Sequence, residues 1–279
     1  MVGYILGAAL GIVLLVAGIY LFLIAPSKHP AAAVLRQTKY AHRGLHDASQ
    51  GIPENSLPAF QRAKEAGYGV ELDIQFTADR QIVVFHDATL TRLCGVDRRV
   101  DSLTYAELSA YTLGNTREHI PLFSEVLTLL GETPLICEIK SYGKVTDTEL
   151  CKAAYPLLAD YKGPFCMESF NPFMVRWFRK NQPQVVRGIL SMKFPPDSKE
   201  VSEKQGKILT ALLLNFLMRP HFIAYHHTDT ACRGFRLCRH LFGAFTVAWT
   251  VQSSAHEEES RRNFDTIIFE NFLPKTGQQ

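Results

Sequence analysis

The first 26 residues carry no charged side chain, and residues 3–24 are almost continuously apolar. About 20 such residues cross a bilayer as a helix. A secretory signal wants a basic start and a shorter apolar core; nothing basic precedes this run, and it is long. Ala31-Ala32-Ala33 is the one feature that imitates a cleavage site, so an anchor is favoured over a cleaved signal. A lopsided charge is also missing. The chain has 30 Lys and Arg against 27 Asp and Glu, net +3, with no basic run interleaved with aromatics. That balance argues against a nucleic-acid partner. No CxxC occurs, and Cys232 and Cys238 are too far apart for ordinary zinc spacing. Six cysteines in a chain of this length do not make a small disulfide scaffold. Cys137 and Cys166 lie in apolar runs, where a thiol behaves as a small hydrophobe. Reduced thiols point to the cytoplasm. Internal repeats and low-complexity tracts are absent too.

What remains is one domain's worth of chain. At 279 residues and 47% hydrophobic, there is material for one sizeable core. Residues 1–26 are expected as a transmembrane helix, 27–37 as a juxtamembrane linker, and 38–279 as the folded domain. Lys28, Arg36 and Lys39 follow the span and only the terminal amine precedes it, which places that domain in the cytoplasm. Gly3, Gly7 and Gly11 are spaced like a helix-packing face, but glycine is also common in lipid-facing spans.

After the linker, strand and helix patterns alternate. Residues 38–41 read as a buried strand ending at His42-Arg43-Gly44, and Ser56 as the cap of a helix with Leu57, Phe60 and Ala63 on one face. Residues 70–74 form a strand whose period of two puts Glu71 and Asp73 on one face. Two carboxylates so placed are costly without a cation or donors between them. Residues 82–85 follow without room for a helix, as a hairpin or an extended return. Thr104-x-x-Glu107 is a capping box. Residues 134–140 are a strand with Glu138 and Lys140 on one face. Further strands are expected at 165–168, 185–190, 222–225, 244–250 and 266–269, with helices between them, including a long apolar one over 204–218. This order implies parallel strands with outer helices, in about the number a distorted (β/α)8 TIM barrel needs, with one of nine strand candidates outside the ring. A doubly wound sheet would want a glycine-rich phosphate loop after its first strand, and there is none. In a barrel the strand carboxyl ends carry function, and His42, Arg43, Asp73, His86, Glu138, Lys140, Glu168 and Trp249 fall near them.

Ala-His42-Arg43-Gly44, Pro53-Glu54-Asn55-Ser56, Glu71-Leu-Asp73, Val84-Phe-His86-Asp87, Glu138-Ile-Lys140 and Trp249-Thr250, in this order, resemble the glycerophosphodiester phosphodiesterase family, here as a bacterial-type, membrane-anchored member. The resemblance implies a distorted TIM barrel that hydrolyses glycerophosphodiesters to sn-glycerol 3-phosphate and an alcohol with a divalent cation, Ca2+ or Mg2+. By resemblance Glu71, Asp73, Glu138 and Glu54 are metal ligands, and His42 and His86 the general base and acid. Hard oxygen donors suit either cation. Arg43 can meet phosphate as a fork and Lys140 as a point charge. Asn55 orders the site, and Trp249 makes an apolar wall at the glycerol end. The attacking oxygen, water or a substrate hydroxyl, stays open. Glu270 stands where the family often has aspartate, which touches substrate choice more than chemistry.

The remaining histidines, His46, His119, His221, His226, His227 and His240, are read as structural. The apolar excess of residues 207–218 suggests a barrel helix with a thick core face, or one whose outer residues Leu213 and Phe216 dip into the bilayer near the active-site mouth. An anchored enzyme of this kind could also take lysophospholipids, a lysophospholipase D-type activity. A catalytically inactive membrane-bound scaffold is disfavoured, because every motif position is filled.

Overall fold

A computed structural model describes residues 1–198 and 201–275; the expected domain end at 279 lies outside them. Among the described residues nine strands form: β1 (Tyr40–His42), β2 (Gly69–Phe76), β3 (Ile82–Val84), β4 (Leu135–Ile139), β5 (Phe165–Ser169), β6 (Val186–Ser191), β7 (Phe222–His226), β8 (Phe245–Val251) and β9 (Thr266–Phe269). Eight of them close into a parallel ring. Strand β1 pairs with both β2 and β9, and the rest follow in the order β4, β5, β6, β7, β8. Strand β3 is the ninth. It pairs antiparallel with the far end of β2, Ile74 opposite Val84, so the connection that the sequence left open is a hairpin.

The helices are α1 (Val2–Ile24), α2 (Ala32–Arg36), α3 (Leu57–Glu65), α4 (Thr91–Cys94), α5 (Tyr105–Leu108), α6 (Phe123–Leu130), α7 (Glu149–Asp160), α8 (Pro172–Asn181), α9 (Glu203–Thr210), α10 (Asn215–Met218), α11 (Arg233–His240) and α12 (Ser254–Ser260). Their starts follow from local chemistry. The Ser56 hydroxyl accepts from the Ala59 N–H, Thr104 and Glu107 cap each other's backbone, and Asn171 caps α8 ahead of Pro172.

Strand alternation divides the core in two. Val70, Leu72, Ile74, Cys137, Ile139, Met167, Ile223 and Tyr225 pack outward under the helices. Tyr40, Ile136, Cys166, Phe222, Phe245 and Ile268 fill the barrel. Ala32 and Leu35 of α2 join this inner set, so the expected linker holds a helix that plugs the amino-terminal end of the barrel. On β1, β4 and β5 the next inward positions turn polar, His42, Glu138 and Glu168, and β2 adds Glu71 and Asp73, while β7 and β8 stay apolar there at Ala224 and Val247. The barrel is thus apolar at its foot and carries its ionisable side chains at its mouth. A third cluster, Val83, Phe85, Leu90, Val100, Leu103 and Leu108 among others, builds a small subdomain beside β3.

The expected long helix over 204–218 is broken. Leu212 takes a left-handed φ of 58°, which separates α9 from α10. Its apolar excess has an occupant: Phe216 faces Phe22 of α1, ring centroids 5.9 Å apart. That side of Phe216 meets α1 rather than lipid.

Candidate active site

The site begins at the end of β1. Arg43 and Gly44 both take positive φ, 54° and 80°, turning the chain sharply after His42. Gly44 also sits against the backbone of Ala59, where a side chain would collide. The turn aims the Arg43 N–H at Glu71 Oε2, 3.1 Å away. Asn55 is likewise left-handed, φ 54°, and its amide donates to Asp73 Oδ2 at 2.9 Å. Such strain in non-glycine residues persists where the surroundings over-determine it.

Glu71, Asp73 and Glu138 converge. One oxygen of each lies within 4.8 Å of the others, and all three are buried. Adjacent strands β2 and β4 bring them together, with Asp73 opposite Glu138 in register. Lys140 Nζ stands 2.8 Å from both Asp73 Oδ1 and Glu138 Oε2, and Arg43 Nε 3.4 Å from Asp73 Oδ2. Burial, then the charges of Asp73, Glu138 and Glu168, push the Glu71 carboxyl far above its ordinary range. Burial acts upward on Asp73 as well, but Lys140, His86 and Arg43 outweigh it and hold that carboxyl well below. Burial raises Glu138 despite Lys140. Three buried carboxylates whose permanent counter-charges are Lys140 and Arg43 fit a divalent cation, because all the donors are hard oxygens. The buried Asn55 Oδ1, without a hydrogen-bond partner, is one more oxygen at this place.

Each histidine has its own carboxylate. His42 Nδ1 is 2.6 Å from Glu270 Oε2, and His86 Nδ1 is 2.7 Å from Asp87 Oδ1. With Nδ1 so engaged, Nε2 is the nitrogen each ring leaves free of its carboxylate; that of His42 is 4.0 Å from Glu71 Oε2. Burial, then the nearby Arg43, lowers the His42 imidazole, although the Glu270 hydrogen bond works the other way. Gln252 donates to the other Glu270 oxygen at 2.7 Å. The Tyr142 hydroxyl and the Gln75 amide hold the backbone around His86 through the carbonyls of His86, Phe85 and Asp87.

Glu54, expected with the metal ligands, stands apart from the other three. Arg43 takes Oε1 at 2.6 Å, and Arg92 takes both oxygens at 2.7 and 2.8 Å. Burial opposes this, but the two arginines bring the Glu54 carboxyl down to about 2. Arg92 also grips Asp87, 2.7 Å from its Oδ2, and so links Glu54 to the His86 pair. Trp249 meets Phe170 and His226 edge-on at 5.4 and 5.2 Å, and Phe170 meets Phe194 at 6.2 Å, forming an aromatic wall along the β5–β8 side of the mouth.

Sequence reasoning passed over Glu270 as a partner of His42, Arg92 as a bridge, and the placement of Glu168. The last is 1% exposed beside Glu138, inside the barrel rather than at its periphery. Only its inward parity, shared with Glu138, hints at this. His46, read as structural, lies 3.8 Å from Glu270 at the site's edge. His221 is buried at the barrel foot, as a structural histidine should be.

A family model described as the glycerophosphoryl diester phosphodiesterase family matches residues 42–215. Among curated proteins, the chain is 31% identical over 162 residues to a glycerophosphodiester phosphodiesterase of Caldanaerobacter subterraneus subsp. tengcongensis, covering 54% of this chain and 65% of that one. It is 36% identical over 135 residues to a lysophospholipase D of Rattus norvegicus, covering 44% and 41%. The chain therefore spans less than two thirds of either relative's length. Its fold matches that of an Oleispira antarctica phosphodiesterase solved with the product sn-glycerol-3-phosphate, at TM-score 0.66 and 22% identity over 83% of this chain and 92% of that one. A glycerophosphodiester phosphodiesterase of Thermotoga maritima matches at TM-score 0.63 and 25% identity, covering 83% and 93%.

Proposed function

Because the chain belongs to the glycerophosphoryl diester phosphodiesterase family, we propose that it hydrolyses glycerophosphodiesters to sn-glycerol 3-phosphate and an alcohol. The observation that carries this reading is the pairing of a buried three-carboxylate cluster with two histidines, each held by its own carboxylate. Glu71, Asp73 and Glu138 would hold Ca2+ or Mg2+, which when bound polarises the phosphoryl oxygens and acidifies the attacking hydroxyl. Glu54 serves instead to fix Arg43 and Arg92.

The protein's own groups account for binding and proton movement. Arg43 and Lys140 face the phosphate and offset its charge. Asn55 holds Asp73 in place, and Trp249 walls the glycerol end. His42 is the base, since its lowered affinity keeps Nε2 free of a proton near neutrality. It takes the proton of the attacking oxygen, from water or the substrate's own glycerol hydroxyl. As that oxygen bonds to phosphorus, the phosphorus–oxygen bond to the alcohol breaks and Nε2–H of His86 gives the alcohol its proton; when the attacker is the hydroxyl, the cyclic phosphate so formed is opened by water to glycerol 3-phosphate.

The test is release of glycerol 3-phosphate from a panel of diesters, with and without EDTA, by the wild type and His42→Ala. Activity that survives EDTA removes the metal role, and activity that survives the substitution removes the base.

A second reading extends the substrate to lysophospholipids. The Phe170, Trp249 and Phe194 wall supports it, as does the similarity to a lysophospholipase D. Helix α1 would then be the anchor, with the catalytic domain in the cytoplasm. The charge-free span and the six free thiols support that placement.

A further inference from the structure

Helix α1 is seated on the barrel. Its end lies across α10 and α11, and three side chains donate to its terminal carbonyls. Asn215 Nδ2 reaches Ile24 O at 2.7 Å, Cys238 Sγ reaches the same oxygen at 3.2 Å, and Arg219 reaches Ala25 O at 2.8 Å and Phe22 O at 3.2 Å. The last four carbonyls of a helix lack intrahelical partners, and here the barrel's flank supplies donors.

These contacts form rungs that give α1 a direction. The lowest rung is at the amino end of β7, where the Ser27 N–H donates to Pro220 O at 2.8 Å, the His29 ring meets His221, and Lys28 lies beside Gly243. The middle rung joins Ile24 to Asn215 and Cys238. Above it Tyr20 and Leu21 still pack on the core, and Tyr20 has Cys238 of the middle rung and Cys232 and Arg233 at the start of α11 as its ionisable neighbours. From residue 28 back to residue 20 the chain therefore climbs from the foot of the barrel toward its mouth. Residues 2–19, exposed throughout, continue that way. At 1.5 Å per residue they add about 27 Å, close to the thickness of a bilayer's hydrocarbon core.

On the reading of α1 as an anchor, we infer that its seating turns the mouth of the barrel toward the bilayer, with the α9–α11 flank against the headgroups. Charge agrees with this partner. Lys204, Lys207, Arg233 and Arg236 are exposed on α9 and α11, with Glu203 the acid among them, which suits an anionic lipid surface. The aromatic wall of Phe170, Trp249 and Phe194 lies on the same side of the mouth, so the apolar part of a diester leaving the bilayer meets it first.

The test places a photo-crosslinking residue at Ala231, on the mouth-side loop before α11, or at Glu132, in the loop at the opposite end before β4. The full chain is reconstituted in vesicles of phosphatidylcholine and phosphatidylglycerol. A lipid adduct is expected at Ala231 and none at Glu132. Equal adducts, the reverse pattern or none at either site would overturn the orientation. Asn215→Ala/Arg219→Gly, which unpins α1, should lose the Ala231 adduct while hydrolysis of soluble glycerophosphocholine is unchanged; a retained adduct counts against the pins. Failure of the wild type to hydrolyse glycerophosphocholine, with the Ala231 adduct present, overturns the proposed activity and leaves the orientation standing. An intact mass from membranes that lacks residues 1–24 overturns the orientation alone.

Discussion

Glu270 has a narrower task than the other carboxylates of the rim. It takes no part in the three-carboxylate cluster; its oxygens go to His42 Nδ1 and the Gln252 amide. On the proposed mechanism it acts through His42, as a positioning residue. Glu270→Ala should lower kcat about a hundredfold, within the range of general acid–base catalysis. KM should change little and the fold should remain intact, while Glu270→Asp recovers part of the rate. Steady-state kinetics of the three proteins check this, and a loss confined to KM would count against the role. This pairing was hidden in the sequence because 228 residues separate the partners, and only closure of β1 against β9 joins them. His86 and Asp87, by contrast, are neighbours in the chain, so their pairing was within reach. The inward faces carrying Glu71, Asp73 and Glu138 were legible as well, because a strand's period of two does not depend on what it pairs with.

At the scale of single elements, the foot of β7 holds the clearest acid-sensitive contact. His221 is 5% exposed and lies tilted against the His29 ring, centroids 4.7 Å apart. Burial, then the Arg187 and His29 charges, lowers it to about 3. Between about pH 6.5 and that value, the unfolded chain binds a proton that the native chain refuses. The histidine's stabilisation is therefore complete above about pH 6.5 and is lost as pH falls toward 3. Denaturant unfolding at neutral and acid pH should show His221→Gln less acid-sensitive than the wild type, by about 2 kcal/mol near pH 4.5. Gly188 in β6 makes a second prediction. A methyl there would enter the Phe222 ring inside the barrel, so Gly188→Ala should cost about 1–3 kcal/mol in the same measurement. The break between α9 and α10 was not legible. Residues 204–218 have helical periodicity throughout, and nothing local announces a leucine with left-handed φ. The apolar excess there was visible, but not its partner, which lies almost two hundred residues earlier.

For the molecule as a whole, the cluster of Glu71, Asp73 and Glu138 links metal to stability. A cation bound only by the folded state adds about 2.7 kcal/mol at a hundredfold excess over Kd. Thermal melts should therefore rise on the order of 5 °C with saturating Ca2+ or Mg2+ and return in EDTA. Glu138→Gln should show a much smaller rise. The barrel was legible from the βα alternation, and the count of nine announced one surplus strand without telling that it was β3.

The rungs that seat α1 also set an order of events during synthesis. Ile24 meets Asn215 and Cys238 across 191 and 214 residues, and β1 meets β9 across a similar span. A ribosome making the chain at about 5–20 residues per second delivers those partners many seconds after α1 has emerged. An α1 that inserts as it is made is already held in lipid while the ring is still open. The barrel then closes beside the membrane, with its first strand waiting for its last. On the reading of α1 as an anchor, slow codons or a stalled ribosome before residue 215 would leave the flank of α10 and α11 unmade and α1 free to turn.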